Sequence, residues 1–166
     1  MTDDLLSNVV LIAAGEVGVR EEGGRNRGPR VDQYILALGL YPAGGYPWCA
    51  CFVWWCFAQA VEKLGIAHNP CVRTASALNM FRGAPPFWKF TDPSRVRPGN
   101  VVVWDHGAGK GHTGIVEGID LATSVALTIE GNTNAAGHRE GDGVYRKSRP
   151  LGDPQLTGFV DYGLAT

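Results

Sequence analysis

No apolar run in the 166-residue sequence approaches the roughly 18–20 residues that a membrane-crossing helix needs. Neither charge is in excess: 15 basic residues stand against 16 acidic ones. Cut at Gly83, the chain carries 7 basic and 7 acidic residues before the cut, then 8 and 9 after it. That balance withholds compositional support from nucleic-acid or anionic-membrane binding. The start carries Asp3 and Asp4 where a secretory signal has a basic region, so no such signal is expected. Cysteine is scarce, with Cys49, Cys51, Cys56 and Cys71 only, which is too few for a disulfide scaffold at this size. What is plentiful is glycine, at 23, and proline, at 10. The expectation is a single loop-rich α+β domain over residues 1–166, long enough to bury a core.

Leu5, Leu6, Val9, Val10, Ile12 and Ala13 follow helical spacing, with Thr2 or Asp3 as cap and Gly15 or Gly18 as stop. Residues 21–30 form a polar loop, and Val31 to Leu38 a short amphipathic helix. Pro47 stands where prolines open helices. Trp48 to Leu64 is apolar nearly all round, which predicts a buried central helix ended by Gly65. Thr74 to Arg82 reads as one more short helix. Strands are predicted at 101–104, 112–119 and 125–130, with weaker ones at 143–149 and 156–162. Helices first and a meander of strands after them argue for α+β with an antiparallel sheet.

Cys49 falls in the first turn of the apolar helix. Free N–H groups and the positive dipole end there favour a thiolate and can stabilise an oxyanion. By position alone, a buried filler is the commoner role for such a cysteine. A metal site among the helix cysteines is excluded by geometry. Cys49 and Cys51 lie about 200° apart around the axis, Cys51 and Cys56 about 140°, and Cys49 and Cys56 roughly 10 Å along it. Only Cys71, in a loop, is free to pair with one of them.

Of the four histidines, His68 and His138 sit in polar loops and read as solvated. His106 follows a strand and is a rival base. His112 opens a strand, and Gly111 before it permits close approach by another group. A hairpin centred near Leu121 would put His112 directly opposite Glu130, on one face. Glu130 then orients the imidazole, and Asn132, two residues on, is a second candidate on the same face. Nucleophile, base and orienter make a triad, which one residue of register slip would break.

Four ordered motifs carry a resemblance. They are Pro47-Trp48-Cys49-Ala50 with Phe52-Val53, Arg97-Pro98-Gly99-Asn100 running into Val101-Val102-Val103-Trp104, Gly111-His112-Thr113-Gly114-Ile115-Val116, and Ile129-Glu130-Gly131-Asn132-Thr133. Together they resemble the CHAP domain, a cysteine- and histidine-dependent amidohydrolase/peptidase of the NlpC/P60 superfamily, over about residues 16–160. The resemblance implies a papain-like α+β fold with the cysteine at the start of a buried helix packed on an antiparallel sheet. It implies Cys49 as nucleophile, His112 as base, Glu130 as orienter and Asn132 as a further catalytic polar group. The implied reaction is cleavage of a peptidoglycan amide through a thioester, within the stem or cross-bridge or between N-acetylmuramic acid and L-alanine. A thiol amidase acting on another amide, or a catalytically silent wall-binding module, would share parts of the pattern.

Asn100 replaces the usual aspartate before the first strand. Some relatives carry an acidic calcium-binding stretch before the cysteine. Here Arg25, Arg27 and Arg30 occupy that region with only Asp32 acidic, and calcium wants 6–8 oxygens, so no metal and no cofactor are expected. Trp48 stands where some relatives place an oxyanion-binding glutamine, leaving Tyr34 and Tyr46 as candidate donors. Trp48, Tyr46 and Trp88 are the expected substrate-binding residues, with Phe87 and Trp104 as further groove candidates, among loops 20–30, 66–75, 83–96 and 133–142. Expected partners are peptidoglycan and, for a delivered enzyme, an immunity protein or delivery apparatus. A monomer is expected, made in the cytoplasm and acting on the cell wall after phage lysis or dedicated secretion.

Overall fold

The computed structural model describes residues 2–136 and 141–165. Helix α1 (Thr2–Gly15), α2 (Pro29–Ala37), α3 (Cys49–Leu64) and α4 (Ala77–Arg82) precede strands β1 (Lys89–Phe90), β2 (Val101–Asp105), β3 (Gly111–Asp120), β4 (Val125–Thr133), β5 (Gly143–Pro150) and β6 (Leu156–Val160). The six strands make one antiparallel sheet in the order β1-β6-β2-β3-β4-β5. The short edge strand β1 carries too little pattern to be read from sequence. The side chains of Thr2 and Asp3, and the loop histidine His138, lie outside the described residues.

α3 is the central helix, packed on α1, α2, β3 and β4. Its residues Ala50, Phe52, Val53, Cys56, Phe57 and Ala60 are fully buried, as the all-round apolar pattern requires. Gly65 ends it in the left-handed conformation, φ 66°, where a side chain would be strained. The helix begins at Cys49 with Trp48 as N-cap, so Pro47 lies just outside the first turn.

The sheet carries two apolar clusters. Val101, Val103, Ile115, Ile129, Val144 and Val160 face the helices. Val102, Trp104, Val116, Phe90 and Phe159 pack on the other face. His112 is paired with Trp104 and therefore shares that second face.

The β3–β4 hairpin departs from the expected register. Asp120 Oδ1 accepts the backbone N–H groups of Ala122 and Thr123, at 2.9 and 3.2 Å, which sets the turn at residues 121–124. A bulge at Glu117 then leaves Ile115 opposite Ile129 and Val116 opposite Thr128. Continued from Ile115 to His112, that register is two residues from the expected one. A two-residue slip keeps every side chain on its face, so Glu130 becomes the diagonal neighbour of His112 instead of its direct partner.

Candidate active site

Cys49 opens α3 and is 4% exposed. No side chain caps this end, and the first main-chain bond that closes there is Phe52 N–H to Trp48 carbonyl, 2.9 Å. The earlier N–H groups of the turn stay available to an oxyanion. Cys51, Cys56 and Cys71 are free, buried thiols. Burial pushes Cys51 up to about 12 and raises the other two as well, so the neighbouring thiols are inert fillers.

His112 is 1% exposed. Glu130 Oε2 lies 2.8 Å from its Nε2. Nδ1 is buried and has no hydrogen-bond partner among the described residues, while the Cys49 thiol is the group that acts on the ring from outside the sheet. Burial alone would lower the imidazole pKa. Interaction with Cys49 and then with Glu130 outweighs it and holds His112 at about 9. The ring is stacked on Trp104, with centroids 5.8 Å apart and planes at 27°.

Glu130 reaches diagonally because position 114 is empty. A Cβ built on Gly114 would lie 2.6 Å from Glu130 Cγ. The carboxylate also accepts Thr128 Oγ1–H at 2.6 Å and two N–H groups of Arg149 at 2.8 and 2.5 Å. Burial would raise it, but Arg149 and His112 together pull it down to about 2. Arg149 was not legible in the sequence: β5 alternates polar residues on both faces, and only its pairing to β4, with Arg149 opposite Ala126, puts it on Glu130's face, from where its long side chain reaches the carboxylate.

Asn132 does not bond His112, contrary to its expected part as an alternative orienter. A bulge between Glu130 and Thr133 breaks the alternation that would have put it on Glu130's face. Asn132 adopts φ 55°, and both amide atoms are buried without a partner among the described residues. Bulges and positive φ of this kind cluster at functional sites.

Trp48 is not a groove wall. It is 0% exposed, donates its indole N–H to Glu21 Oε1 at 2.8 Å, stacks on Tyr34, and abuts Gly131, where a Cβ would lie 2.7 Å from its ring. Tyr34, expected as an oxyanion donor, is equally buried and spends its hydroxyl on Glu16, 2.5 Å away. Trp88 lies at the far corner of the sheet. Its carbonyl accepts Asp161 N–H at the opposite edge, three strands across and four residues along from His112 by register, about 14 Å and 13 Å respectively. Phe87, packed edge-on to Trp88, shares that corner. Trp104 is buried beneath His112. Tyr46, 37% exposed three residues before Cys49, remains as a groove candidate. The rival His106 bonds Gln155 at 2.7 Å, and His68 is exposed. Among the described residues, no group of three or more His, Cys, Asp or Glu could hold a metal ion, and no helix is long and apolar enough to cross a membrane.

The crystal structure of Ly7917 has a similar fold, with a TM-score of 0.54 at 17% identity, over 94% of this chain and 61% of that one. This chain thus spans about three-fifths of that chain's length. No curated protein matches the sequence. The family model of the CHAP domain matches residues 41–132, a stretch that begins before Cys49 and ends on Asn132. The fold is papain-like α+β, and the chain belongs to the CHAP-domain family of amidases and peptidases, in the NlpC/P60-like group.

Proposed function

We propose that the protein is a cysteine-dependent peptidoglycan hydrolase, cleaving an amide bond in the stem or cross-bridge peptide or between N-acetylmuramic acid and L-alanine. The observation that carries this reading is the placement of His112, with Nε2 held by Glu130 at 2.8 Å and Nδ1 left for Cys49 at the uncapped start of α3. The Cys49 sulfur attacks the amide carbonyl carbon, forming the S–C bond while the oxygen takes up negative charge against the first-turn N–H groups. His112 gives its proton to the nitrogen, the C–N bond breaks, and the amine leaves. Neutral His112 then takes a proton from water, the hydroxyl oxygen bonds the thioester carbon, and the S–C bond breaks to return the thiolate. Asn132, with its amide uncommitted, supports the bound carbonyl or amide. The enzyme acts at the cell wall, reached through lysis or secretion.

Purified peptidoglycan is the substrate for the test. Cys49→Ala is expected to release no fragments while keeping the fold, and Glu130→Gln to lower kcat more than it changes KM. Mass spectrometry of the wild-type products identifies the bond. Wild-type rates from Cys49→Ala would sink the assignment.

A further inference from the structure

Glu130 is held far more completely than an orienting carboxylate requires. A carboxylate offers about four lone-pair sites. On Oε1 they are met by Thr128 Oγ1–H at 2.6 Å and Arg149 Nε–H at 2.8 Å. On Oε2 they are met by Arg149 Nη2–H at 2.5 Å and His112 Nε2 at 2.8 Å. Half of this set comes from one side chain. The same guanidinium lies 5.1 Å over the Trp104 ring, and Trp104 is the ring on which His112 stacks. One arginine therefore backs both supports of the imidazole, the carboxylate at its edge and the indole at its face.

We propose that Arg149 is the positioning residue of this site: its forked guanidinium fixes Glu130 and Trp104, and through them the orientation of His112. This rests on the reading of Cys49 and His112 as the catalytic pair. The side chain is 20% exposed and Glu130 0%, so the pair is not a solvent-screened surface bridge of negligible effect. A lysine could supply the charge but not the planar fork or the stack.

Arg149 also sets the charge around the ring. His112 is faced by Cys49 from α3, Glu130 from β4 and the uncharged Trp104 from β2. Arg149 from β5 faces Glu130, and Asp153 faces Arg149 in turn. The guanidinium offsets the Glu130 charge and repels an imidazolium. Without it, a bare carboxylate would stand against the ring, and the alkaline limb of activity, which marks loss of the His112 proton, would move to higher pH.

Arg149→Met and Arg149→Lys test this on three readouts: kcat and KM on a soluble peptidoglycan fragment, the pH profile, and the nuclear magnetic resonance signal of the His112 Nε2 proton. Partners one layer behind a positioned histidine at metal sites typically cost 10–100-fold when removed. The expected result for Arg149→Met is a kcat loss of that order, KM nearly unchanged, an alkaline limb shifted upward and a displaced Nε2 proton signal. Arg149→Lys is expected to keep the limb near the wild-type position yet recover kcat only in part. A wild-type kcat, limb and proton signal in Arg149→Met, beside an inactive Cys49→Ala, overturns the proposal. So does a loss of kcat with the limb and proton signal unmoved, which is what general destabilisation would give. Full activity in Cys49→Ala instead overturns the catalytic reading, while the proton signal still reports whether Arg149 holds the ring.

Discussion

Gly114 lets Glu130 reach His112 on a diagonal. Cross-strand diagonal neighbours sit roughly 7–8 Å apart, within reach of a glutamate side chain only if nothing fills the gap. The residue opposite Glu130 by the register of Ile115 and Ile129 is Gly114, and a methyl there would meet Glu130 Cγ at 2.6 Å and the Ile129 carbonyl at 3.1 Å. Gly114 needs its small size, not a left-handed backbone, since its φ is outside the positive range. Gly114→Ala should therefore push Glu130 off His112. The overpacking should cost about 1–3 kcal/mol of stability, and the rate of Cys49 alkylation should drop toward that of His112→Ala. A Gly114→Ala enzyme with wild-type turnover and wild-type alkylation would show that the carboxylate reaches the ring by another path.

At the scale of elements, the start of α3 is clamped from behind by α1 and α2. Arg30 donates from Nε and Nη2 to the two oxygens of Glu16, at 2.7 and 2.6 Å, and Tyr34 donates to the same carboxylate. The Tyr34 ring packs against Trp48, Phe52 and Trp55, at 5.6, 5.4 and 5.1 Å between centroids. Trp48, the residue before Cys49, is thus wedged between Tyr34 and Gly131. Tyr34→Phe keeps the ring and the wedge but removes one donor from a buried carboxylate. It should cost about 1–2 kcal/mol, roughly 4 °C in Tm, and leave kcat within about twofold, because Arg30 still holds Glu16 and Trp48 keeps its seat. Calorimetry and turnover on the same preparation check both halves, and a tenfold kcat loss would show that the hydroxyl reaches the chemistry. Elements and faces were legible because they depend on local pattern: the apolar run of α3, the β-branched runs of β2 and β3, and the period of two that kept Glu130 on His112's side. Register was not, because it turned on the Asp120 turn and the Glu117 bulge, which are decided by side-chain hydrogen bonding. The placements of Trp48 and Trp88 were not legible for a related reason. Nearness to Cys49 in sequence says nothing of which way an indole points, and the position of β1 across the sheet is not a local property.

For the molecule as a whole, the site is a buried cluster of charge whose balance sets the pH range of stability. Between the two ends of that range Glu130 is anionic, His112 and Arg149 are cationic, and burial keeps solvent from screening them. The folded pKa of His112 is raised from 6.5 to about 9. Its contribution to stability is therefore complete below about pH 6.5 and is lost as pH rises through about 9. The folded pKa of Glu130 is depressed from 4.5 to about 2. Its contribution is complete above about pH 4.5 and is lost as pH falls toward 2. The two windows overlap between about pH 4.5 and 6.5, below the pH at which a thiol hydrolase would be expected to lose its imidazolium. Many other groups titrate over the same span, among them Glu16, which is lowered by Arg30 and Tyr34 against its own burial, so the wild-type curve alone does not isolate the site. The difference in Tm between wild type and His112→Gln does. It should be largest near pH 6 and shrink steadily between pH 6.5 and 9.5. In a Cys49→Ala background the alkaline decline should be smaller, because Cys49 is one of the two groups that raise His112. A difference curve that is flat across that interval, or that grows with pH, would mean that His112 is not held as an imidazolium in the folded protein, and the proton-donating step assigned to it would have to be carried by another group.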